Sequence, residues 1–166
     1  MTTLELAVWE ECEKCYEIIE AGKAFQQEQG FVQWTEDYPN LSTIQDDIPK
    51  GKGYVLKTEG IIIGYMGIDF DGEPAYDNIE GSWRAEQPYA VVHRMAFDRK
   101  YCGKGLADTA FRLIAALCLE KDVHYIRVDT DLPNKRMQHI LEKNGFVNCG
   151  VIVFQGSGKL AYDKMF

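Results

Sequence analysis

The sequence predicts an α/β or α+β fold built around one sheet. The second half of the chain alternates strand, glycine loop, helix, strand, helix and strand patterns. The first half contains two β-branched runs joined by a short turn, which is typical of a hairpin. The chain has 166 residues, of which 46% are hydrophobic and 27% charged, and these are the proportions of an ordinary globular domain. We therefore expect a single domain over residues 1–166.

The first half of the chain combines helix and strand signals with clear end signals. Gly30 ends a long acidic stretch of strong helix formers, and Asn40 is placed to cap a short helix. The segment between them holds three aromatic residues and is predicted to be a loop because Pro39 and Asn40 close it. The pattern predicts strands at 3–7, 53–57 and 61–70 and helices at 9–29 and 41–47.

The second half begins with a turn-rich excursion and then alternates strands and helices. The last helix is predicted to carry Pro133 in its first turn and to end at Gly145, which can take a left-handed cap. The excursion spans 71–87, the strands 89–97, 124–129, 146–154 and 160–166, and the helices 105–121 and 133–144.

Charge and composition exclude several classes of protein. The formal net charge is −8, so the chain as a whole repels nucleic acid. No apolar run approaches the ~18 residues of a membrane span, and the first residues lack an export pattern. The five cysteines are odd in number and scattered, and the Cys12 and Cys15 pair has no partner ligands at zinc-finger spacing. We therefore expect a cytoplasmic protein with reduced thiols, no metal, no nucleic-acid partner and no membrane partner.

The strongest local signal is a strand that runs into a glycine loop and then a helix. Gly103 and Gly105 allow the backbone to come close to a ligand, and the first amides of the helix that follows can bind an anion. Arg99, Lys100 and Lys104 reverse the sign of the charge locally. The pattern therefore favours phosphate recognition, and the alternative is an ordinary glycine-containing connection with solvated lysines.

Two other phosphate motifs fit less well. A dinucleotide site requires a third glycine and a position after the first strand, whereas the loop at 103–108 lacks that glycine and follows several strands. For a nucleoside triphosphate loop, Gly158 and Lys159 lack the glycine and hydroxyl residue that the motif needs. A dinucleotide-dependent oxidoreductase is thus a distant alternative.

The motifs together resemble the GNAT superfamily of N-acetyltransferases, in a bacterial branch with early Gln-Trp and Tyr-Pro pairs. Residues 101–107 resemble the family's loop for acetyl-coenzyme A, and 141–146 resemble its later E-K-x-G-F element. The resemblance covers nearly the whole chain. It implies a three-layer sandwich with a central mixed, mostly antiparallel sheet flanked by helices. The residues that it assigns to the cofactor are Met95, Ala96, Phe97, Cys102, Gly103, Lys104, Gly105, Leu106, Ala107 and Asn134.

The sequence departs from this family at two positions. Cys102 stands where the family usually has Arg or Gln, so a side-chain contribution is missing while the backbone loop remains. Leu141 stands where the family often has a tyrosine that protonates the departing thiolate. A thiol with a pKa of about 8.5 can leave as an anion, so this loss weakens the mechanism without abolishing it. Tyrosines that could substitute are Tyr101, Tyr125 and Tyr162.

The resemblance implies direct transfer of acetyl from acetyl-coenzyme A to a primary amine. The general base is predicted to be His93, with Glu80 or Asp69 acting through water as alternatives. The acceptor is left open between a small amine, an antibiotic and a protein N-terminus, and the oligomeric state, including a homodimer, is also left open. The alternative function is a non-catalytic module that binds or senses coenzyme A.

Four aromatic residues in the two loop segments are predicted to line the acceptor side. They are Trp34, Tyr38, Tyr76 and Trp83. Rings of this kind can form an apolar wall and pack on an amine, while the acidic first helix attracts cations. The alternative is that both segments cover the core.

Overall fold

The structure is a computed structural model that describes residues 1–154 and 156–166. Within these residues the chain forms four α-helices and eight strands, together with three short 3₁₀ turns. The helices are α1 (Cys12–Glu28), α2 (Leu41–Asp47), α3 (Leu106–Glu120) and α4 (Lys135–Lys143). The strands are β1 (Thr2–Leu6), β2 (Gly53–Thr58), β3 (Ile61–Asp69), β4 (Glu80–Gly81), β5 (Ala90–Phe97), β6 (Tyr125–Asp131), β7 (Val147–Phe154) and β8 (Ser157–Met165).

The strands follow the order β1-β2-β3-β5-β6-β8-β7-β4. Five pairs of neighbouring strands are antiparallel: β1 with β2, β2 with β3, β6 with β8, β8 with β7, and β7 with β4. β5 and β6 pair in parallel at Ala90 and Val91. The predicted fold class, an α/β fold with a mixed and mostly antiparallel sheet, is therefore confirmed.

The chain folds into two compact units, which we call the N-unit and the C-unit. The N-unit comprises Met1–Ile68 and His93–Leu113, and the C-unit comprises Asp69–Val92 and Ile114–Phe166. A single domain over residues 1–166 stays a prediction. None of the helices in the described parts of the chain is long and apolar enough to cross a membrane.

The core of the N-unit lies under α1 and α2. On α1 the buried positions recur at helical spacing, so one face packs on strands β2, β3 and β5 while the opposite face carries the glutamates. Buried members of this cluster are Ala7, Cys12, Cys15, Ile18, Ile19, Ile44, Val55, Tyr65 and Ala96. Burial raises the pKa of the Cys15 thiol to about 12, so this cysteine is a neutral core residue.

Local signals placed α2 and the hairpin correctly. The Asn40 side chain accepts a hydrogen bond from the Thr43 amide at 3.0 Å, and the Asn40 amide donates to Thr43 Oγ1 at 3.1 Å. These two bonds satisfy donors at the start of the helix, as the sequence predicted. Between β2 and β3, Glu59 and Gly60 have φ angles of 50° and 78°, which suits the twist of a two-residue hairpin turn.

The core of the C-unit contains aromatic rings and a buried cation. Tyr76, Val91, Ile152 and Ala161 form its apolar cluster. The Arg127 Cζ lies 4.5 Å, 4.3 Å and 5.2 Å from the ring centroids of Trp83, Tyr89 and Tyr125. The rings therefore stabilise a guanidinium that is only 4% exposed. Part of the excursion that was predicted from turn residues is thus packed structure.

One strand was not predicted, and several element boundaries differ from the sequence prediction, among them the starts of α1 and α4. β4 was not predicted because two residues carry no periodicity. It forms where Gly81 and Gly150 meet so closely that a Cβ on either would lie 2.1 Å from a carbonyl oxygen of the other strand. Residues 9–11 form a 3₁₀ turn before α1 begins. Pro133 lies before Asn134, the cap of α4, whereas the sequence predicted it inside the first turn of the helix.

Candidate functional site

Strand β5 carries the residues that the sequence analysis assigned to chemistry. His93 is half-buried on this strand, and Ala96 is buried in the core of the N-unit. At its end the Asp98 amide donates to the Ile63 carbonyl at 2.8 Å, which holds the start of the following segment against β3. This hydrogen bond therefore fixes the position at which the chain leaves β5 and enters the segment that leads to the glycine loop.

The glycine loop follows a short turn at Arg99–Tyr101. The Asp98 carboxylate accepts from the Lys100 amide at 3.0 Å and caps that turn. Gly103 and Gly105 then adopt φ angles of 80° and 69°, in the left-handed region that favours glycine. A Cβ at Gly103 would meet no atom of the chain within 4 Å. The need for glycine there therefore comes from the backbone conformation and not from packing within the chain.

The first turn of α3 presents its backbone donors directly behind the loop. The first hydrogen bond of the helix runs from the Thr109 amide to the Gly105 carbonyl, at 3.1 Å. In an α-helix the amides of the first turn point out of the N-terminal end. Such amides, with the positive end of the helix dipole, are a general site for a phosphate.

The side-chain charges around the loop are more balanced than the sequence suggested. Arg99 forms an ion pair with Glu28 at 2.6 Å, and its guanidinium lies 5.0 Å from the Phe25 ring centroid. Asp108 adds a carboxylate in the first turn of α3. Lys100 and Lys104 are exposed. Attraction for an anion therefore depends mainly on the backbone amides, with the two lysines as auxiliary charges.

The N-unit brings two of the predicted aromatic residues to β5. The Gln26 side-chain oxygen accepts from the Trp34 amide at 3.0 Å, which holds the aromatic loop against α1. The Trp34 ring packs on the cluster that contains Ala96 and fits over Gly22, where a Cβ would lie 2.8 Å from Trp34 Cζ3. Tyr38 accepts a hydrogen bond from Arg94 of β5 at 2.9 Å.

The other two aromatic residues belong to the C-unit core. The Tyr76 side chain has no exposed surface, and its hydroxyl donates to Asp129 at 2.7 Å. Burial raises the pKa of that Asp129 carboxyl. The Trp83 indole donates to the Tyr76 carbonyl at 2.8 Å. These contacts give both residues a structural role, as in the core-covering alternative, and their acceptor role stays a prediction. Glu80 is exposed on β4.

The last helix supplies two further positions of interest. Asn134 caps α4, since its side-chain oxygen accepts from the Met137 amide at 3.1 Å, and its cofactor role stays a prediction. Leu141 is 1% exposed, so the position where the family often has a tyrosine is an apolar core position here. Among the three tyrosines proposed as substitutes, Tyr125 donates to the buried Asp163 at 2.6 Å. Burial and that neighbouring carboxylate raise the pKa of Tyr125 to about 12.

Sequence reasoning missed Arg94, which has a φ of 55° in the middle of β5. A left-handed conformation costs an L-residue about 1–2 kcal/mol, so contacts must hold it in place. The guanidinium forms an ion pair with Asp47 at 2.8 Å. The sequence does hint at a cation near Asp47, because an acidic residue at the end of α2 interacts unfavourably with the helix dipole unless a cation faces it. It does not indicate that the cation is Arg94.

Comparisons with known proteins relate the chain to a single protein family. A family model described as the acetyltransferase (GNAT) family matches residues 9–146. A GNAT-family acetyltransferase from Streptococcus agalactiae 2603 is 34% identical, with a TM-score of 0.90 over 99% of this chain and 95% of that one. A GNAT-family acetyltransferase from Listeria monocytogenes 4b F2365 is 20% identical, with a TM-score of 0.79 over the same shares of the two chains.

A structure of the aminoglycoside acetyltransferase AAC(6')-Ib with coenzyme A and kanamycin is also similar. It is 20% identical to this chain, with a TM-score of 0.73 over 99% of this chain and 95% of that one. At this identity the likeness concerns the fold alone. No curated protein matches the chain significantly.

Two glycines provide a matched test of the loop. Gly103 and Gly60 have φ angles of 80° and 78°, and a Cβ at either would meet nothing within 4 Å. Gly103→Ala and Gly60→Ala should therefore destabilise the fold equally, by about 1–2 kcal/mol each. Only Gly103→Ala should weaken coenzyme A binding, by about tenfold or more, because its methyl group would stand where the loop backbone is predicted to approach the ligand. Calorimetric titration of both variants measures this difference, and equal affinities in the two would place the ligand elsewhere.

Proposed function

Because the chain belongs to the acetyltransferase (GNAT) family, we propose that it transfers acetyl from acetyl-coenzyme A directly to a primary amine. The observation that carries this proposal is the junction of β5, the glycine loop and α3. Two glycines with positive φ precede a helix whose first amides can donate to a phosphate. These features suit the pyrophosphate of coenzyme A, and the amides of residues 102–107 are proposed to hold it.

The catalytic role of β5 is proposed to be positional and electrostatic. Residues 95–97 lie between His93 and the loop, so their backbone can pair with the pantetheine arm. One of their amides can donate to the thioester oxygen as negative charge develops there. The bound thioester supplies an activated acetyl group, and holding it beside the amine replaces a bimolecular encounter. Most of the rate enhancement then comes from orientation.

His93 is the favoured general base because it lies on β5 in the N-unit, next to the segment that is proposed to bind the donor. It would take the ammonium proton from the acceptor, directly or through water. Glu80 and Asp69 belong to the C-unit, and the Asp69 carboxylate already accepts from the Asp71 amide at 2.8 Å. They remain alternatives that would need a water relay.

A general acid is proposed only as an auxiliary. Tyr101 is the one of the three candidate tyrosines that lies in the N-unit, immediately before the glycine loop. The Tyr125 hydroxyl is held by Asp163, and burial raises the pKa of Tyr162. Since a thiolate with a conjugate pKa of about 8.5 can depart unprotonated, the reaction does not depend on an acid at this position.

The acceptor is proposed to be a small-molecule amine, with a protein N-terminus as the alternative. Trp34 and Tyr38 support an acceptor wall in the N-unit because both contact β5 residues or their core cluster. The glutamates of α1, including Glu13, add negative charge that favours a cation. The amine kanamycin in the structure of a protein with this fold is consistent with that class of acceptor.

A non-catalytic module that binds or senses coenzyme A is the second candidate. Two observations favour it. Leu141 is buried where a general acid would stand. At the position where the family usually has Arg or Gln, the Cys102 thiol contacts the Asp98 carbonyl of its own segment at 3.5 Å. In either case, a cytoplasmic location and the absence of nucleic-acid and membrane partners stay predictions.

The test of the function combines binding with transfer. Acetyl-coenzyme A should raise the Tm by linkage, whereas NAD should not. A panel of polyamines, aminoglycosides and peptide N-termini should contain an amine that is acetylated, detected by release of the free thiol. Binding without transfer to any member would favour the sensing module. Failure to bind acetyl-coenzyme A at millimolar concentration would contradict both candidates.

The pH dependence of transfer tests His93 as the base. A base must be neutral to accept the proton, so activity should rise with pH along a single ionisation. His93→Gln should remove that limb and lower kcat by about 10²-fold or more while coenzyme A affinity changes little. A pH profile that keeps the same limb in His93→Gln would assign the base to another group.

Gly22 and Trp34 test the acceptor wall. Gly22→Ala places a methyl group 2.8 Å from Trp34 Cζ3, so the ring must move, although alanine favours the helix by about 1 kcal/mol. We expect both Gly22→Ala and Trp34→Ala to raise the KM for the acceptor by about tenfold at nearly unchanged coenzyme A affinity. Steady-state kinetics alongside thermal unfolding measure this. If both variants lost Tm while the acceptor KM of the folded protein stayed at the wild-type value, Trp34 would be only a core residue.

A further inference from the structure

Strand β5 contains one residue in the left-handed conformation, Arg94, and arginine has no intrinsic preference for that conformation. Arg94 has a φ of 55°, and left-handed residues of this kind are mostly Gly, Asn or Asp. It stands directly between His93 and the segment 95–97. The conformation at this one residue therefore sets the path of the strand where the proposed base and the proposed donor-binding amides meet.

The Arg94 side chain is held by two partners within the N-unit, Asp47 and Tyr38. Its Nη2 donates to both Asp47 carboxylate oxygens, at 2.8 Å and 2.9 Å, and its Nε donates to Oδ2 at 3.2 Å. Its Nη1 donates to the Tyr38 hydroxyl at 2.9 Å. The Tyr65 hydroxyl donates to Asp47 Oδ2 at 2.6 Å and so fixes the carboxylate. The two charged side chains are only 12% and 9% exposed, so these charge-assisted bonds are shielded from water.

The surrounding backbone is shaped to admit this guanidinium. A Cβ at Gly67 of β3 would lie 2.6 Å from Arg94 Nη2. Asp47 is the last residue of α2, where the helix dipole disfavours a negative charge. The position of Arg94 explains both features. The absence of a side chain at Gly67 leaves room for the guanidinium, and the guanidinium compensates the charge of Asp47 at the end of α2.

We propose that Arg94 is a positioning residue, which Asp47 and Tyr38 lock in the left-handed conformation so that residues 95–97 present their amides to the pantetheine arm. This inference rests on the proposed function. Arg94 acts through the backbone that follows it and does not touch substrate. Because Tyr38 belongs to the aromatic loop, the same guanidinium also ties the proposed acceptor wall to the strand that binds the donor.

The test separates backbone conformation from loss of the ion pair. Two double variants, Asp47→Asn with Arg94→Ala and Asp47→Asn with Arg94→Gly, both remove the guanidinium and leave no unpaired buried carboxylate. They differ in that glycine adopts positive φ without strain whereas alanine does not. We expect the alanine variant to bind coenzyme A about tenfold more weakly than wild type, and the glycine variant to recover most of that loss. Calorimetric titration on the folded proteins gives both affinities.

Ile44→Val is the control for general destabilisation, because it trims a fully buried side chain of α2 that has no polar contact with Arg94. It should lower the Tm and leave coenzyme A affinity at the wild-type value. Equal affinities in the alanine and glycine variants would overturn the positioning role while leaving the proposed function intact. Failure of the wild-type chain to bind coenzyme A would instead overturn the proposed function, and this inference with it.

Discussion

The ion pair between Arg94 and Asp47 holds a left-handed residue in the middle of β5, and the other parts of the proposed site are arranged around that residue. His93 precedes it and residues 95–97 follow it, so the proposed base and the proposed backbone donors lie on either side of one left-handed residue. The Tyr38 hydroxyl binds the same guanidinium, which connects the aromatic loop to this point. A buried pair of charges is a costly way to stabilise a fold, and its value here is that it specifies one backbone conformation.

The proposed function places an anion-binding loop in a chain whose net charge is −8. Side-chain charge near the glycine loop is largely balanced, because Arg99 is paired with Glu28 and Asp108 opposes the lysines. Backbone amides and the helix dipole are independent of the net charge and act only over short distances. The acidic surface can therefore attract a cationic acceptor while the loop retains its preference for phosphate.

Much of the fold followed from signals that are local in sequence. The Asn40 cap, the turn at Gly60 and the glycine loop each depend on residues a few positions apart, and each was placed correctly. What sequence could not supply depends on distant contacts. β4 forms where Gly81 meets Gly150. Tyr76 is buried among distant residues such as Ile152 and Ala161, and its hydroxyl donates to Asp129, 53 positions away.

The conformation of Arg94 also depends on a contact between residues that are distant in sequence, since its partner Asp47 lies 47 positions earlier. A crystal structure of the chain with coenzyme A tests the central claim most directly. The account predicts that Arg94 keeps its positive φ and its bonds to Asp47 and Tyr38, with amides of residues 95–97 within hydrogen-bond distance of the pantetheine arm. A structure in which coenzyme A binds while Arg94 adopts an ordinary strand conformation, or in which the arm lies away from these amides, would contradict it.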